Sequence, residues 1–392
     1  MTKVSPFKYG STVSGDSFTG RKEEIAKLTH NILSGIHTTV ISPRRWGKSS
    51  LVEKTVDDII KSHKDIKAVF IDLFSISSEQ EFLEVYTREV IKATSTKLQD
   101  RLNAIKSFFK QISPKVSLGT DLNTEFSIGF DWNEAKKHKS EILNLPEVIA
   151  TEKNIRLIIC LDEFQNIGNY QQEEELEKAM RACWQRHDHV SYCLYGSKRH
   201  MMEELFSRSS KPFYRFGDIM FLEKIPQNEW TAFIKKGFQD TGKKIARQYA
   251  ETIPKIMENH SWYVQQLSAY IWRLTDKEVN NDVLARGLIE VINTNMPLFQ
   301  NEIENLSVKQ VNLLKAIADG EVQLTSTRVM QKYDIGTPVN ITKNRDKLEK
   351  EDLIYRINGK KYEFLDPVFK IWFMIQYYNK NFNSFIENKK DN

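Results

Sequence analysis

The sequence predicts an α/β fold for the first half of the chain, with a parallel sheet covered by helices on both faces. An all-helical segment and a small helix-and-hairpin unit are expected to follow. Three observations carry this reading. Short aliphatic and β-branched runs at Thr38–Ile41, Lys67–Phe74, Ile155–Phe164 and Ser191–Ser197 alternate with stretches of helical apolar spacing, the order that builds parallel sheets. These runs are nearly continuous in apolar residues, as strands buried on both faces are. Beyond Gln227 the apolar spacing turns helical throughout, until a final run of three helices and a hairpin.

Taken in order, the first 15 or so residues are polar and rich in Gly and Ser and are expected to form an arm. A helix should start near Arg21, with Ile25, Leu28 and Ile32 on one face. Strand Thr38–Ile41 leads through a glycine-bearing loop into a helix from Lys48, whose stripe is Leu51, Val52, Val56, Ile59 and Ile60. After the second strand, "SEQEFLEVYTREVIKAT" is helical. From about 95 to 140 the pattern alternates instead: Val116 and Leu118, then Phe126, Ile128 and Phe130, around a turn-like Gly119–Asn123. This reads as a β-hairpin inserted into the α/β domain. Such an insertion either serves function or pads the sheet edge.

Domain boundaries are expected at 1–226, 227–305 and 306–392. The last unit opens on Ser307 as a helix N-cap, has Pro338 in the first turn of its third helix, and closes on a hairpin about Asn358-Gly359. That order is the winged-helix arrangement. The aromatic run that follows, with Phe369, Trp372, Phe373 and Ile375 at helical spacing, reads as core.

Bulk composition narrows the function classes. The chain has 392 residues, 40% of them hydrophobic and 28% charged, with a net charge of +5. That suits a globular chain of two or three domains and permits contact with nucleic acid without demanding it. Three cysteines without C-x-x-C spacing argue against a disulfide framework and fit a reducing cytosol. Neither an apolar leader nor a run of about 18 apolar residues is visible, so a cytoplasmic location away from membranes is expected.

The chemistry is concentrated in "ISPRRWGKSSL". It matches the phosphate-binding pattern G-x-x-x-x-G-K-[ST] except that Ser42 stands at the first glycine. Its setting, strand then loop then helix, is the one the pattern requires. Gly47 permits close backbone approach, Lys48 would reach the β- and γ-phosphates, and Ser49 would offer its hydroxyl to Mg²⁺. Ser42 is tolerable if that position needs no positive φ. A second signal is "LIICLDEF", which brings Asp162 and Glu163 to the carboxyl end of a buried strand, where α/β sheets bind ligands. Asp162 would hold the Mg²⁺ shell and Glu163 would act as general base on the attacking water. Two acids that merely cap the next helix are the plainer alternative.

The segments "FTGRKEEIAKL", "SPRRWGKSSL", "LDEF", "YGSKRHMMEELF", "KPFYRF", "HSWYVQQL" and "DPVFKIWF" occur in that order. Together they resemble the archaeal-type ATPase family, a prokaryotic AAA+/STAND-related group with a C-terminal winged helix. The resemblance spans nearly the whole chain. It implies a P-loop NTPase fold of AAA+-like type, with a parallel sheet, an inserted hairpin, a helical lid domain and a winged-helix domain. It implies ATP and Mg²⁺ as ligands, with Pro43, Arg44, Arg45, Trp46, Gly47, Lys48, Ser49 and Ser50 as the nucleotide loop.

The same resemblance places Phe18, Gly20 and Arg21 at the adenine pocket and Ser197 at a position that senses the γ-phosphate or the water. It puts Arg215 near the γ-phosphate or a neighbouring subunit's site, which would need a homo-oligomer. It sets His260 and Tyr263 in the segment that packs on the base, where Ser261 replaces the proline of relatives.

In the winged helix, Lys343 and Arg345 on the third helix and Lys360 and Lys361 on the wing could meet the groove and phosphates of double-stranded DNA. Asp346, Glu349, Glu351 and Asp352 dilute that charge, so a protein partner stays equally open. Two functions follow. One is an ATP-hydrolysing switch coupled to DNA or a partner through the winged helix. The other is a nucleotide-gated protein scaffold with slow or no hydrolysis.

Overall fold

A computed structural model of the chain describes residues 4–95, 100, 108, 115–118, 126–170, 173–357 and 361–386. Among these residues no helix is long and apolar enough to cross a membrane. The chain divides into two compact units: an α/β unit of Arg21–Arg44 and Lys48–Glu223, and a helical unit of Met1–Gly20, Arg45–Gly47 and Lys224–Asn392.

The α/β unit is built on strands β1 (Thr38–Ile41), β2 (Ile66–Asp72), β5 (Arg156–Asp162), β6 (Val190–Gly196) and β7 (Asp218–Phe221), with β3 (Lys115–Leu118) and β4 (Phe126–Gly129) between them in sequence. The five form one sheet in the order β2-β5-β6-β1-β7, with every pairing parallel. Burial follows position. Every residue of β1 and β6 is buried, whereas edge strand β2 alternates between buried and exposed residues. This is why the central strands read as unbroken apolar runs. Edge strand β7 has only four residues and one buried position, and is not among the strands expected from the sequence.

β6 lies between β5 and β1, although β5 and β1 are far apart in the chain. The carboxyl ends of these three strands therefore converge where the strand order reverses, the place at which such sheets bind ligands. Helix Lys48–Ser62 follows β1 directly and buries Leu51, Val52, Thr55, Val56 and Ile59.

β3 and β4 pair antiparallel with Val116 opposite Ile128 and Leu118 opposite Phe126. The expected turn at Gly119–Asn123 lies outside the described residues. Ile128 and Phe130 are buried in the core of the α/β unit. The Phe130 N–H donates to Glu84 Oε1 at 3.1 Å, which fastens the end of the hairpin to helix Glu79–Thr94.

Behind the sheet lies a buried polar chain. Nε2 of His187 is 2.9 Å from Asn144 Oδ1, its Nδ1 is 3.0 Å from the Tyr192 hydroxyl, and that hydroxyl is 3.1 Å from the Tyr86 hydroxyl. Neutral imidazole satisfies all of these contacts, donating from Nε2 and accepting at Nδ1. Burial lowers the His187 pKa to about 4 from the ordinary 6.5, with Glu147 and Asp188 opposing and His37 assisting. The folded protein thus refuses a proton that the unfolded chain takes up. His187 contributes fully above pH 6.5, and that stability is lost as pH falls through about 4. Urea unfolding should be weaker at pH 5 than at pH 7 by about 2 kcal/mol from this group, and His187→Gln should remove that part of the slope.

The helical unit contains helices Gln227–Asp240, Arg247–Ile256, Ser261–Leu274 and Asn281–Glu304, then Val308–Ala318, Thr327–Tyr333 and Pro338–Lys350. Strands β8 (Ile354–Ile357) and β9 (Lys361–Phe364) pair antiparallel before helix Pro367–Tyr378. Ser307 and Gln310 form a capping box, and Thr337 caps the helix that Pro338 opens. The Asn358-Gly359 turn and Lys360 lie outside the described residues. Phe369, Trp372 and Phe373 are buried, and Ile375 packs against the same core.

The expected arm is not free. Phe7 is buried against Phe233 and Phe238, with ring centroids at 5.7 and 5.6 Å. A Cβ on Gly237 would come within 2.8 Å of the Phe7 ring. Tyr9 adds edge-on contacts to Trp262 and Tyr270, and the Lys8 N–H donates to Gln265 Oε1 at 3.2 Å.

Candidate functional site

Ser42 follows β1 and is fully buried, with its hydroxyl donating to the Pro43 carbonyl at 3.1 Å. Among the described residues of the loop, positive φ occurs at Arg45 and Gly47 and not at Ser42. The position therefore needs no glycine. Ser42→Gly is expected to change nucleotide affinity less than about twofold; a large gain in a titration would show a compromised loop.

Gly47 has φ +94, and no heavy atom lies within 4 Å of where a Cβ would sit. The loop thus presents open space beside backbone at this point. Lys48 and Ser49 then begin the helix, whose first-turn N–H groups have no partner within it, an arrangement that attracts anions.

The acids lie beside this helix end. Ser49 Oγ donates to Asp162 Oδ2 at 2.8 Å. Lys48 Nζ stands 3.4 Å from Asp162 Oδ1 and 3.1 Å from Glu163 Oε1. The other Glu163 oxygen, Oε2, accepts from Ser197 Oγ at 2.8 Å, from Ser197 N at 3.4 Å and from Gln165 Nε2. Glu163 itself has φ +51, a conformation costly for a residue with a side chain and frequent at functional sites.

Burial holds the Asp162 carboxyl above its ordinary value, against the pull of Lys48 and Ser49. Burial works to raise Glu163 too, but Lys48, Gln165 and Ser197 together overcome it and leave Glu163 below its ordinary value. The site therefore keeps an ionised carboxylate beside a buried ammonium. Such a set can bind phosphate, provide oxygen ligands for a hard cation and take a proton from water.

Gln165 was not singled out from the sequence. It is 1% exposed, and a Cβ on Gly196 would lie 2.0 Å from its Oε1. The one sequence signal is a polar residue between the buried Phe164 and Ile167.

The remaining candidates are distributed over both units. Pro43 and Ser50 are buried and Arg44 is exposed, all in the α/β unit. Arg21 is buried there, its Nη1 on Glu24 Oε1 at 2.8 Å. Arg215, also in that unit, is exposed, has φ +55 and lies over the Tyr214 ring at 5.1 Å. Phe18 is half-buried in the helical unit. Gly20 is there too, and a Cβ on it would meet Glu229 Oε2 at 2.8 Å and Ile225 Cγ2 at 2.9 Å.

Three loop residues, Arg45–Gly47, belong to the helical unit. The Arg45 carbonyl accepts from Trp262 N at 3.3 Å, and its guanidinium lies 4.8 Å from the Trp262 ring centroid. The Trp46 carbonyl accepts from Ser261 Oγ at 3.2 Å. The Trp46 indole is 5% exposed and meets Tyr355 edge-on at 6.1 Å. Tyr263, expected against a base, is 1% exposed, with its hydroxyl donated to Asp366. His260 is buried beside Tyr263 at 4.9 Å between ring centroids. In the winged-helix segment, Arg345 pairs with Asp346 at 2.8 Å and Lys361 with Glu363 at 2.7 Å, while Lys343 is exposed.

Residues 297–374 match the family model described as a probable winged helix domain. Among solved structures, a Walker-type ATPase of Pyrococcus abyssi superposes with a TM-score of 0.67 at 18% identity, covering 94% of this chain and 100% of that one. The chain has a P-loop NTPase fold with a C-terminal winged helix. The ORC2 protein of Aeropyrum pernix, in its ADPNP–ADP complexes, superposes at 0.57 and 14% identity, covering 95% of this chain and 100% of that one. Its ADP form gives 0.55 at 14% identity, covering 99% and 98%. No curated protein matches this chain in sequence. In this fold the start of helix Lys48–Ser62 and the acidic end of β5 lie side by side.

Proposed function

We propose that this protein is a Mg²⁺-dependent, ATP-hydrolysing molecular switch whose nucleotide state is transmitted through the winged helix. The observation that carries the proposal is the joining of the two sequence signals in one place: Ser49 on Asp162 and Lys48 on Glu163, at 2.8 and 3.1 Å. The donor set fits Mg²⁺, which is usually held by one hydroxyl or carboxylate or two, with phosphates and water completing its shell. Ser49 and Asp162 would hold it. When bound, it would neutralise charge on the β- and γ-phosphates.

This chain's own groups do the rest. Lys48 binds and orients the phosphates, and the open backbone at Gly47 admits them. Glu163 accepts the proton of the attacking water, and Ser197 orients Glu163. Arg215 is exposed and lies over the Tyr214 ring. It suits transition-state charge in its own or a neighbouring copy. Phe18, Gly20, Arg21 and His260 remain assigned to the surroundings of the base by resemblance alone.

Double-stranded DNA is the partner proposed for the exposed Lys343 and the wing. A second reading has one specific observation in its favour. Arg345, Lys347 and Lys361 each pair with a nearby acid, which lowers the charge available to phosphates and suits a protein-binding scaffold with slow hydrolysis. The deciding experiment is phosphate release from ATP with Mg²⁺, with and without duplex DNA at two salt concentrations. Stimulation that fades with salt supports the first reading. Unstimulated slow turnover supports the second, and no ATP binding at millimolar concentration overturns both.

A further inference from the structure

We infer that the two oxygens of Glu163 have separate tasks: Oε2 is a fixed anchor and Oε1 receives the proton, which makes Gln165 a positioning residue for hydrolysis. This rests on the proposed reading of Glu163 as general base and goes beyond it in naming the oxygen and the residue that fixes it.

The asymmetry is geometric. Oε2 accepts from the hydroxyl and the N–H of Ser197 and from the amide of Gln165. Those donors come from two elements, the end of β6 and the 3-10 helix Phe164–Asn169. Ser197 and Gln165 are 2% and 1% exposed, so water does not compete for these bonds. Oε1 has a different neighbour, the Lys48 ammonium at 3.1 Å. Lys48 is also the residue that must turn to the phosphates.

When ATP takes Lys48, Oε1 loses its partner while Oε2 keeps all three donors. The carboxylate stays in place with one lone-pair face released. A water beside Oε1 then passes its proton there as its oxygen bonds to the γ-phosphorus. The bond from that phosphorus to the bridging oxygen breaks, its electron pair leaves with ADP, and the proton on Oε1 later passes to phosphate or solvent. Without ATP, Lys48 occupies Oε1, so the base cannot be used before substrate arrives.

Gly196 belongs to this device. A side chain there would collide with Gln165 Oε1 and with Met202 Sδ, at 2.0 and 2.7 Å from the Cβ position. The glycine keeps open the space in which the amide lies against Glu163.

The test is Gln165→Met, which keeps the shape and removes the donor. Expected are a fall in kcat of roughly tenfold to a hundredfold, an unchanged KM, an unchanged melting temperature and unchanged affinity for a fluorescent ATP analogue titrated without added metal. Gln165→Glu should fall at least as far, because it sets a second carboxylate against the first. Full kcat in Gln165→Met overturns the proposal, as does a loss that appears equally in melting temperature and analogue affinity, which marks a merely structural amide. Should Gln165→Met fail to fold, Ser197→Ala tests the same anchor from the other side. Failure of the underlying reading has its own signature: Glu163→Gln at full rate. Full rate in Gln165→Met beside a dead Glu163→Gln rejects this inference alone.

Discussion

Lys48→Ala is expected to abolish measurable ATP binding. Lys48 is 8% exposed, opens helix Lys48–Ser62 and lies between Asp162 and Glu163. Its removal takes away the cation that would meet the phosphates. It also leaves two half-buried carboxylates side by side without the ammonium that pairs with both, facing an incoming polyanion. Truncating one partner of a buried, hydrogen-bonded charge pair costs about 2–5 kcal/mol, and roughly tenfold in affinity accompanies each 1.4 kcal/mol. A loss of two to three orders of magnitude or more is therefore expected in isothermal titration with ATP and Mg²⁺. Affinity within a few-fold of the parent protein would mean that phosphates bind elsewhere. Lys48→Arg is a useful companion. It retains the charge but not the compact ammonium shape, and should recover only part of the loss.

Glu163→Gln has the largest expected effect on turnover. The substitution preserves size and lets the new carbonyl accept from Ser197 and Gln165, so the fold and nucleotide affinity should hold. The side-chain amide cannot take a proton from water. General-base removal typically slows reactions by about 10²–10⁴-fold, and phosphate release should fall within that range while ATP affinity stays level or rises. Partner capture by the ATP-loaded variant then separates the two functional readings. A scaffold keeps or strengthens its partner when hydrolysis stops. A motor-like switch on DNA loses DNA-stimulated turnover altogether.

The legible parts of the fold share a cause. β1, β5 and β6 are buried along nearly their full length, and that burial wrote unbroken apolar runs into the sequence. β7 escaped because a four-residue edge strand, Asp218–Phe221, has neither length nor period. Within the site, Lys48, Ser49, Asp162 and Glu163 could be picked out because each follows a strand at fixed offset, so local spacing encodes position. Gln165 against Gly196 is a contact through space between the 3-10 helix Phe164–Asn169 and the end of β6, and leaves no such spacing. Trp46 and Arg45 show the same limit from another direction. A loop sequence records an indole and a guanidinium, but not that both are engaged by Tyr355 and Trp262.

Phe7 in the core of the helical unit has a consequence for biosynthesis. Its partners Phe233 and Phe238 lie more than two hundred residues downstream, and the α/β unit is translated in between. At about 5–20 residues per second the ribosome needs roughly ten to fifty seconds to make that interval. During this time the segment around Phe7 is already made yet has nowhere to dock. A nascent chain should therefore gain a protease-resistant α/β unit while residues near Phe7 stay cleavable, with their protection arriving only as synthesis passes Phe238. An affinity tag fused close to Ser5 would act on this late docking step, so the position of a tag bears directly on the yield of folded protein.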